Sequence, residues 1–126
     1  MGGSGLRRID LMRRGEVRLV DLDPVSGGEA DKRRPAVVVS NDRANAAAER
    51  LGRGVVTVVP LTSNTARVFP FQVLIPAEAG GVRIPSKAQA EQVRSVAFER
   101  LGPALGQLPA MLMTELDDAL RLHLDL

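Results

Sequence analysis

Pro35-Ala36-Val37-Val38-Val39-Ser40 is a run dominated by β-branched side chains. With no polar residue alternating through it, the run reads as a strand buried on both faces of a sheet. Its proline belongs at the strand's start, where no ladder hydrogen bond is lost. Directly after it, Asn41 to Gly52 offers a capping residue, an alanine-rich body and a glycine stop. That grammar predicts a short helix capped by Asn41. Val55-Val56-Thr57-Val58-Val59-Pro60-Leu61 is a further strand, ending in Thr62-Ser63-Asn64-Thr65, a cluster of small hydrogen-bonding residues at its mouth.

Working outward, Glu16-Val17-Arg18-Leu19-Val20-Asp21-Leu22 has a strand pattern that Asp23-Pro24 must end. Residues 25–34 are polar and glycine-bearing, too long for a tight hairpin, and read as a loop of the kind that carries function. The fourth expected strand, Val68 to Ile75, is interrupted by Pro70 and bounded by Pro76, which places it near a sheet edge. Gly80-Gly81 turns the chain into a short extended piece, Val82-Arg83-Ile84-Pro85. Propensity leaves Ser86 to Val96 open between helix and strand. At the C-terminus, Pro109 suits the first turn of a helix on which Leu112, Leu116, Ala119, Leu120 and His123 recur at three and four residues.

The 126 residues make 13.5 kDa, the size of one core, and neither repeat nor linker divides them. Residues 1–11, opening Met1-Gly2-Gly3-Ser4-Gly5, read as a flexible extension of cloning-scar character; residues 12–126 form the domain. With 44% apolar and 25% charged residues, the chain can offset the cost of ordering its backbone. No apolar run approaches the ~20 residues of a spanning helix, so no membrane partner is expected. Cysteine is absent and histidine occurs once, which removes disulfides, thiolate and paired-histidine metal sites and cysteine nucleophiles, and fits a cytoplasmic location. Fifteen of the 17 bases are arginine, and only Lys32 and Lys87 are lysine. A guanidinium's planar fork of donors suits phosphate or carboxylate. Against nucleic acid stands the shortage of stacking side chains: three Phe, no Tyr and no Trp.

Arginine, carboxylate and hydroxyl groups are what remain for catalysis. Such a set suits phosphoryl transfer, where charge on the phosphorus oxygens must be stabilised and one well-placed donor contributes on the order of 2–4 kcal/mol. RNA carries its own nucleophile in the 2′-hydroxyl. A protein then has to orient the strand, accept that hydroxyl's proton and steady the pentacovalent charge.

Six segments in order carry a resemblance: Arg14-Gly15-Glu16-Val17, Asp21-Leu22-Asp23-Pro24, Gly28-Glu29, Arg34-Pro35-Ala36-Val37-Val38-Val39-Ser40-Asn41, Val58-Val59-Pro60-Leu61-Thr62-Ser63 and Glu91-Gln92-Val93-Arg94-Ser95-Val96. From about Met12 to the C-terminus the chain closely resembles the MazF/PemK-type toxins, endoribonucleases of bacterial toxin-antitoxin pairs. The resemblance implies a mainly β fold, an SH3-like barrel of about five to seven strands with short helices and a C-terminal helix, working as a homodimer. It implies sequence-specific, ribosome-independent cleavage of single-stranded mRNA without metal or cofactor, leaving a 2′,3′-cyclic phosphate and a 5′-hydroxyl. A cognate MazE-like antitoxin would neutralise it. The Gln-Val-Arg-Ser match is put on a strand. Arg34 falls on the family's catalytic arginine and Thr62 on its catalytic threonine, while Glu29 matches an acidic loop position. Arg34 would stabilise the anionic phosphorane, Thr62 would hold a phosphate oxygen, and Glu29 would either take the 2′-hydroxyl proton or orient Arg34. Two departures bear on base preference: Ala30 follows the loop glutamate where many relatives have glutamine, and the first strand lacks an aromatic.

Ser63, Arg67, Lys87 and Arg94 are further candidates for RNA contact; for Arg94 a dimer-interface carboxylate is the competing partner. His123 reads as a packed or partly exposed helix residue rather than a base; Asp21 and Asp23 are two apart, but Asp23-Pro24 reads as a turn rather than as half of a magnesium site. Phe69 and Phe71 alternate with Pro70 and read as core or dimer interface. Two rivals share the fold class: a gyrase-poisoning toxin acting by protein contact, against which the absence of tryptophan counts, and a catalytically inactive RNA-binding relative.

Overall fold

Ala36 and Val37 are both fully buried, yet they belong to different hydrophobic clusters on opposite sides of one sheet. The expectation of a strand covered on both faces therefore holds. The computed structural model describes residues 12–22 and 33–126. In chain order these form β1 (Glu16–Asp21), β2 (Arg33–Val38), α1 (Asp42–Leu51), β3 (Val55–Thr62), β4 (Gln72–Ile75), β5 (Ser86–Gln89), β6 (Arg94–Ala97), β7 (Leu101–Gln107) and α2 (Ala110–Leu124). Single 3₁₀ turns lie at Ala79–Gly81, Ala90–Gln92 and Phe98–Arg100. The seven strands follow the path β4-β5-β3-β2-β1-β7, with β6 also paired to β3. This is the expected barrel-like architecture, left open between β4 and β7.

Period-two alternation sends Val59 and Leu61 of β3 to one face, beside Val17 and Val37 and under Leu116, Ala119 and Leu120 of α2. Val56 and Val58 go to the other, with Ala36, Val38 and Ala48 of α1. Each valine or leucine among them contributes about 1.5–3 kcal/mol when fully buried. Of the stripe expected on the C-terminal helix, Leu116, Ala119 and Leu120 are buried and Leu112 partly so, while His123 is exposed. Asn41 caps α1 as anticipated, its side-chain oxygen accepting from the Ala44 N–H at 2.8 Å, and Gly52 ends the helix at φ 69°. Asn41→Ala should lower stability by about 1 kcal/mol, read as a lower urea midpoint with an unchanged slope.

Four expectations need adjustment. Strand β2 starts at Arg33, so Arg34 stands on a strand rather than in the loop, because the ladder with β1 continues through Val20↔Arg34 to Asp21↔Arg33. Pro35 is consequently the strand's third residue. The fourth strand begins only at Gln72: Pro70-Phe71 turns instead, held by the Gln72 N–H on the Phe69 carbonyl (2.8 Å) and the Phe69 N–H on Gln72 Oε1 (3.1 Å). Its edge position is as expected. The ambiguous Ser86–Val96 stretch is strand, 3₁₀ turn and strand; of the Gln-Val-Arg-Ser match, Arg94 and Ser95 lie on β6, while Gln92 closes the turn. Strand β7 has no counterpart in the sequence reading, which assigns nothing between Val96 and Pro109. As an end strand paired only with β1, it accommodates a proline, and its register shifts along that pairing. No helix among the described residues is long and apolar enough to cross a membrane.

Candidate active site

The β2–β3 ladder runs Val38↔Val58, Val37↔Val59, Ala36↔Pro60 and stops. Pro60 and Pro35 both lack an amide hydrogen, so neither can donate to carry the ladder further. Beyond that point β2 stays with β1, whereas β3 turns to β5 through Leu61↔Ala88 and Thr62↔Lys87. A cleft of about 720 Å³ opens where the two strands part. Arg34 lies two residues before Ala36 and Thr62 two residues after Pro60, so both stand where the strands part. Both line the cleft, with Ser63 beside them. Leu19 and Pro35, Leu61, the segment Gly81–Ile84, Ser86 and Leu105 complete the lining.

Arg34 is exposed and makes no hydrogen bond or ion pair among the described residues, although its neighbour Arg33 is turned away, its guanidinium lying against Gly102 of β7. Thr62 Oγ1 accepts the Asn64 N–H at 3.2 Å, and Asn64 Oδ1 accepts the Ala66 N–H at 3.3 Å. These successive turns occupy one lone pair of the hydroxyl and leave its O–H to donate. Among the described residues the lining holds two cations, Arg34 and Arg83, and no carboxylate. A volume within the roughly 300–1,000 Å³ of ligand sites, with an apolar floor and uncompensated guanidinium, suits an anion joined to an apolar group.

Other candidates fall elsewhere. Lys87 is opposite Thr62 in register but only 7% exposed, and its ammonium donates to the Arg67 carbonyl at 2.6 Å. It ties down the segment just beyond Thr62. The Arg67 guanidinium lies 5.4 Å from the Phe69 ring centroid and does not line the cleft. Arg94 is exposed on β6, paired with Val58, four residues from Thr62 and so roughly 13 Å along β3. Glu29 lies outside the described residues. Phe69 and Phe71 stack at 5.4 Å rather than entering the core, with His123 6.5 Å from Phe71. Glu91, in the matched segment, turns to Gln72, whose Nε2 donates to it at 2.7 Å. Among the described residues no group of three or more His, Asp or Glu side chains is placed to hold a metal ion. Arg83 was missed in the sequence, where its one signal was a basic residue shortly after a Gly-Gly turn.

Residues 13–124 match the family model described as PemK-like, MazF-like toxin of type II toxin-antitoxin system. Endoribonuclease MazF9 of Mycobacterium tuberculosis (strain ATCC 25618 / H37Rv) is 62% identical over 116 residues, 92% of this chain and 98% of the relative. Probable endoribonuclease MazF1 of the same strain is 54% identical over 93 residues, 74% of this chain and 86% of its own. Among solved structures, MazF (Form-I) from Deinococcus radiodurans superposes with a TM-score of 0.70 at 27% identity, covering 92% of this chain and 98% of that one. A mycobacterial endoribonuclease in complex with its cognate antitoxin gives 0.69 at 26% identity, covering 91% and 96%. With the model spanning all but the two ends, this chain belongs to the PemK-like, MazF-like toxins of type II toxin-antitoxin systems.

Proposed function

We propose that this MazF-type toxin endoribonuclease cuts single-stranded mRNA at a short sequence, independently of the ribosome and without a metal ion, by letting the RNA's own 2′-hydroxyl attack the adjacent phosphate. The observation that carries the proposal is that the Arg34 guanidinium, without a partner among the described residues, and the Thr62 hydroxyl line one cleft, whose described lining contains no carboxylate. Attack forms the 2′-O–P bond and breaks the P–O5′ bond. One proton leaves the 2′-hydroxyl and one is delivered to the departing 5′ oxygen, giving a 2′,3′-cyclic phosphate and a 5′-hydroxyl. A guanidinium stays protonated at physiological pH, so Arg34 serves by stabilising negative charge rather than by trading protons. Thr62 donates its O–H to a phosphate oxygen and fixes the phosphate against Arg34. Glu29 is the candidate for the base.

The toxin works as a homodimer and is neutralised by a MazE-like antitoxin whose acidic or apolar side chains occupy the same cleft. Phe69 and Leu74 are exposed at the β4 edge, with Leu122 and Leu124 exposed on α2, which packs against β4; these are side chains a second copy would cover.

A long RNA incubated with the purified protein in EDTA should be cut at defined positions. An oligonucleotide with 2′-deoxyribose at the scissile nucleotide should remain whole, because the nucleophile is gone. Scission of that oligonucleotide at the same bond, or a requirement for added divalent cation, would overturn the mechanism.

A further inference from the structure

Arg83 lines the cleft together with Arg34. Like Arg34 it is exposed and has no hydrogen bond or ion pair among the described residues. Its backbone is nevertheless held on both sides. Upstream, Gly80 and Gly81 take φ of +64° and +86° and run so close to β7 that a Cβ on Gly81 would stand 2.2 Å from the Leu105 carbonyl oxygen. Val82 next to it is buried at 4% exposure, and its carbonyl accepts the Glu78 N–H at 2.7 Å. Downstream, the Ser86 hydroxyl donates to the Ile84 carbonyl at 3.1 Å. The guanidinium is therefore presented by a fixed wall of the cleft, on a different segment from the β2 and β3 ends that carry Arg34 and Thr62.

Two cations in a cleft whose described lining has no carboxylate favour a ligand with two anionic groups, and a nucleic-acid backbone repeats an anion at every nucleotide. We propose that Arg83 binds a backbone phosphate neighbouring the one that is cut, so that the cleft grips two phosphates of the RNA, Arg34 at the scissile position and Arg83 beside it. Ile84 and Leu105, exposed at 56% and 37%, give the sugar and base between those phosphates an apolar ledge. This assignment rests on the RNA-cleaving function and adds a residue whose task is to hold the strand, not to stabilise the transition state.

The test uses full-length protein and an uncleavable oligonucleotide, 2′-deoxy at the scissile nucleotide, titrated at several salt concentrations. Arg83→Gln should weaken binding about tenfold and make the log Kd against log salt slope shallower by about 0.7, the change expected for one lost phosphate contact with a single strand. On cleavable RNA the loss should fall on KM. Arg83→Lys should restore the slope, since it restores the charge; a loss of affinity through misfolding alone would leave the slope of the folded fraction unchanged, which keeps the test decisive. If the wild type cuts RNA while Arg83→Gln keeps its affinity and slope, the phosphate assignment falls and the nuclease reading stands. If the wild type neither binds nor cuts RNA, the nuclease reading itself falls.

Discussion

Arg34→Ala is expected to lower the single-turnover rate of RNA cleavage by about 10²–10³-fold, with the loss in kcat rather than in KM. The direction comes from what the side chain lacks. Arg34 is exposed and has no partner among the described residues, so removing it leaves no buried group unsatisfied and should change stability by less than about 0.5 kcal/mol. On the proposed mechanism, what is lost is a donor aimed at charge that develops only as phosphorus becomes pentacovalent. Arg34→Lys should recover little, because an ammonium keeps the charge but not the planar fork that meets two oxygens at once. Thr62→Ala should lose less than Arg34→Ala. On the proposed mechanism both groups hold the same phosphate, so the two changes together should cost less than the product of their separate effects. Rates for Arg34→Ala within about threefold of wild type, in protein whose urea midpoint matches, would remove the guanidinium from the mechanism.

Much of this site was legible in the sequence because it sits at the ends of the two most strongly patterned strands. The run from Pro35 to Val39 and the run from Val55 to Leu61 declare themselves by β-branching, and the residues flanking each run are thereby placed at a strand end. The family motifs then pointed to Arg34 and Thr62. That both reach one cleft depends on where the β2–β3 ladder ends at Pro60, and no local pattern states where two strands will part. Lys87 illustrates the same limit from the other side. Its charge suggested RNA, and its register places it opposite Thr62, but tertiary packing buries the side chain and sets the ammonium on a backbone carbonyl. Arg83 and β7 were illegible for one shared reason. Gly80, Gly81, Gly102 and Gly106 signal turns when read along the chain, whereas here Gly80, Gly81 and Gly106 allow two backbone segments distant in sequence to touch.

That contact leads to the largest stability effect expected in the molecule. Gly81→Ala places a Cβ 2.2 Å from the Leu105 carbonyl oxygen and 2.6 Å from its carbon, and it does so at φ +86°, a conformation L side chains rarely adopt. Neither obstacle can be relieved by rotating a side chain, because both contacting atoms are backbone. Strain from the positive φ and the forced separation of β7 should together cost on the order of 3–5 kcal/mol, a large share of the roughly 5–15 kcal/mol that holds a domain together. Gly52→Ala is the matched control: its φ is +69°, yet nothing lies within 4 Å of the new Cβ, so it should lose only about 1 kcal/mol. Urea denaturation separates the two. The Gly81 variant should also bind uncleavable RNA more weakly than its folded fraction explains, because the wall that presents Arg83 is the part displaced. A Gly81→Ala protein as stable as Gly52→Ala would mean that the 81–84 segment stands away from β7, and that the cleft has no fixed wall on that side.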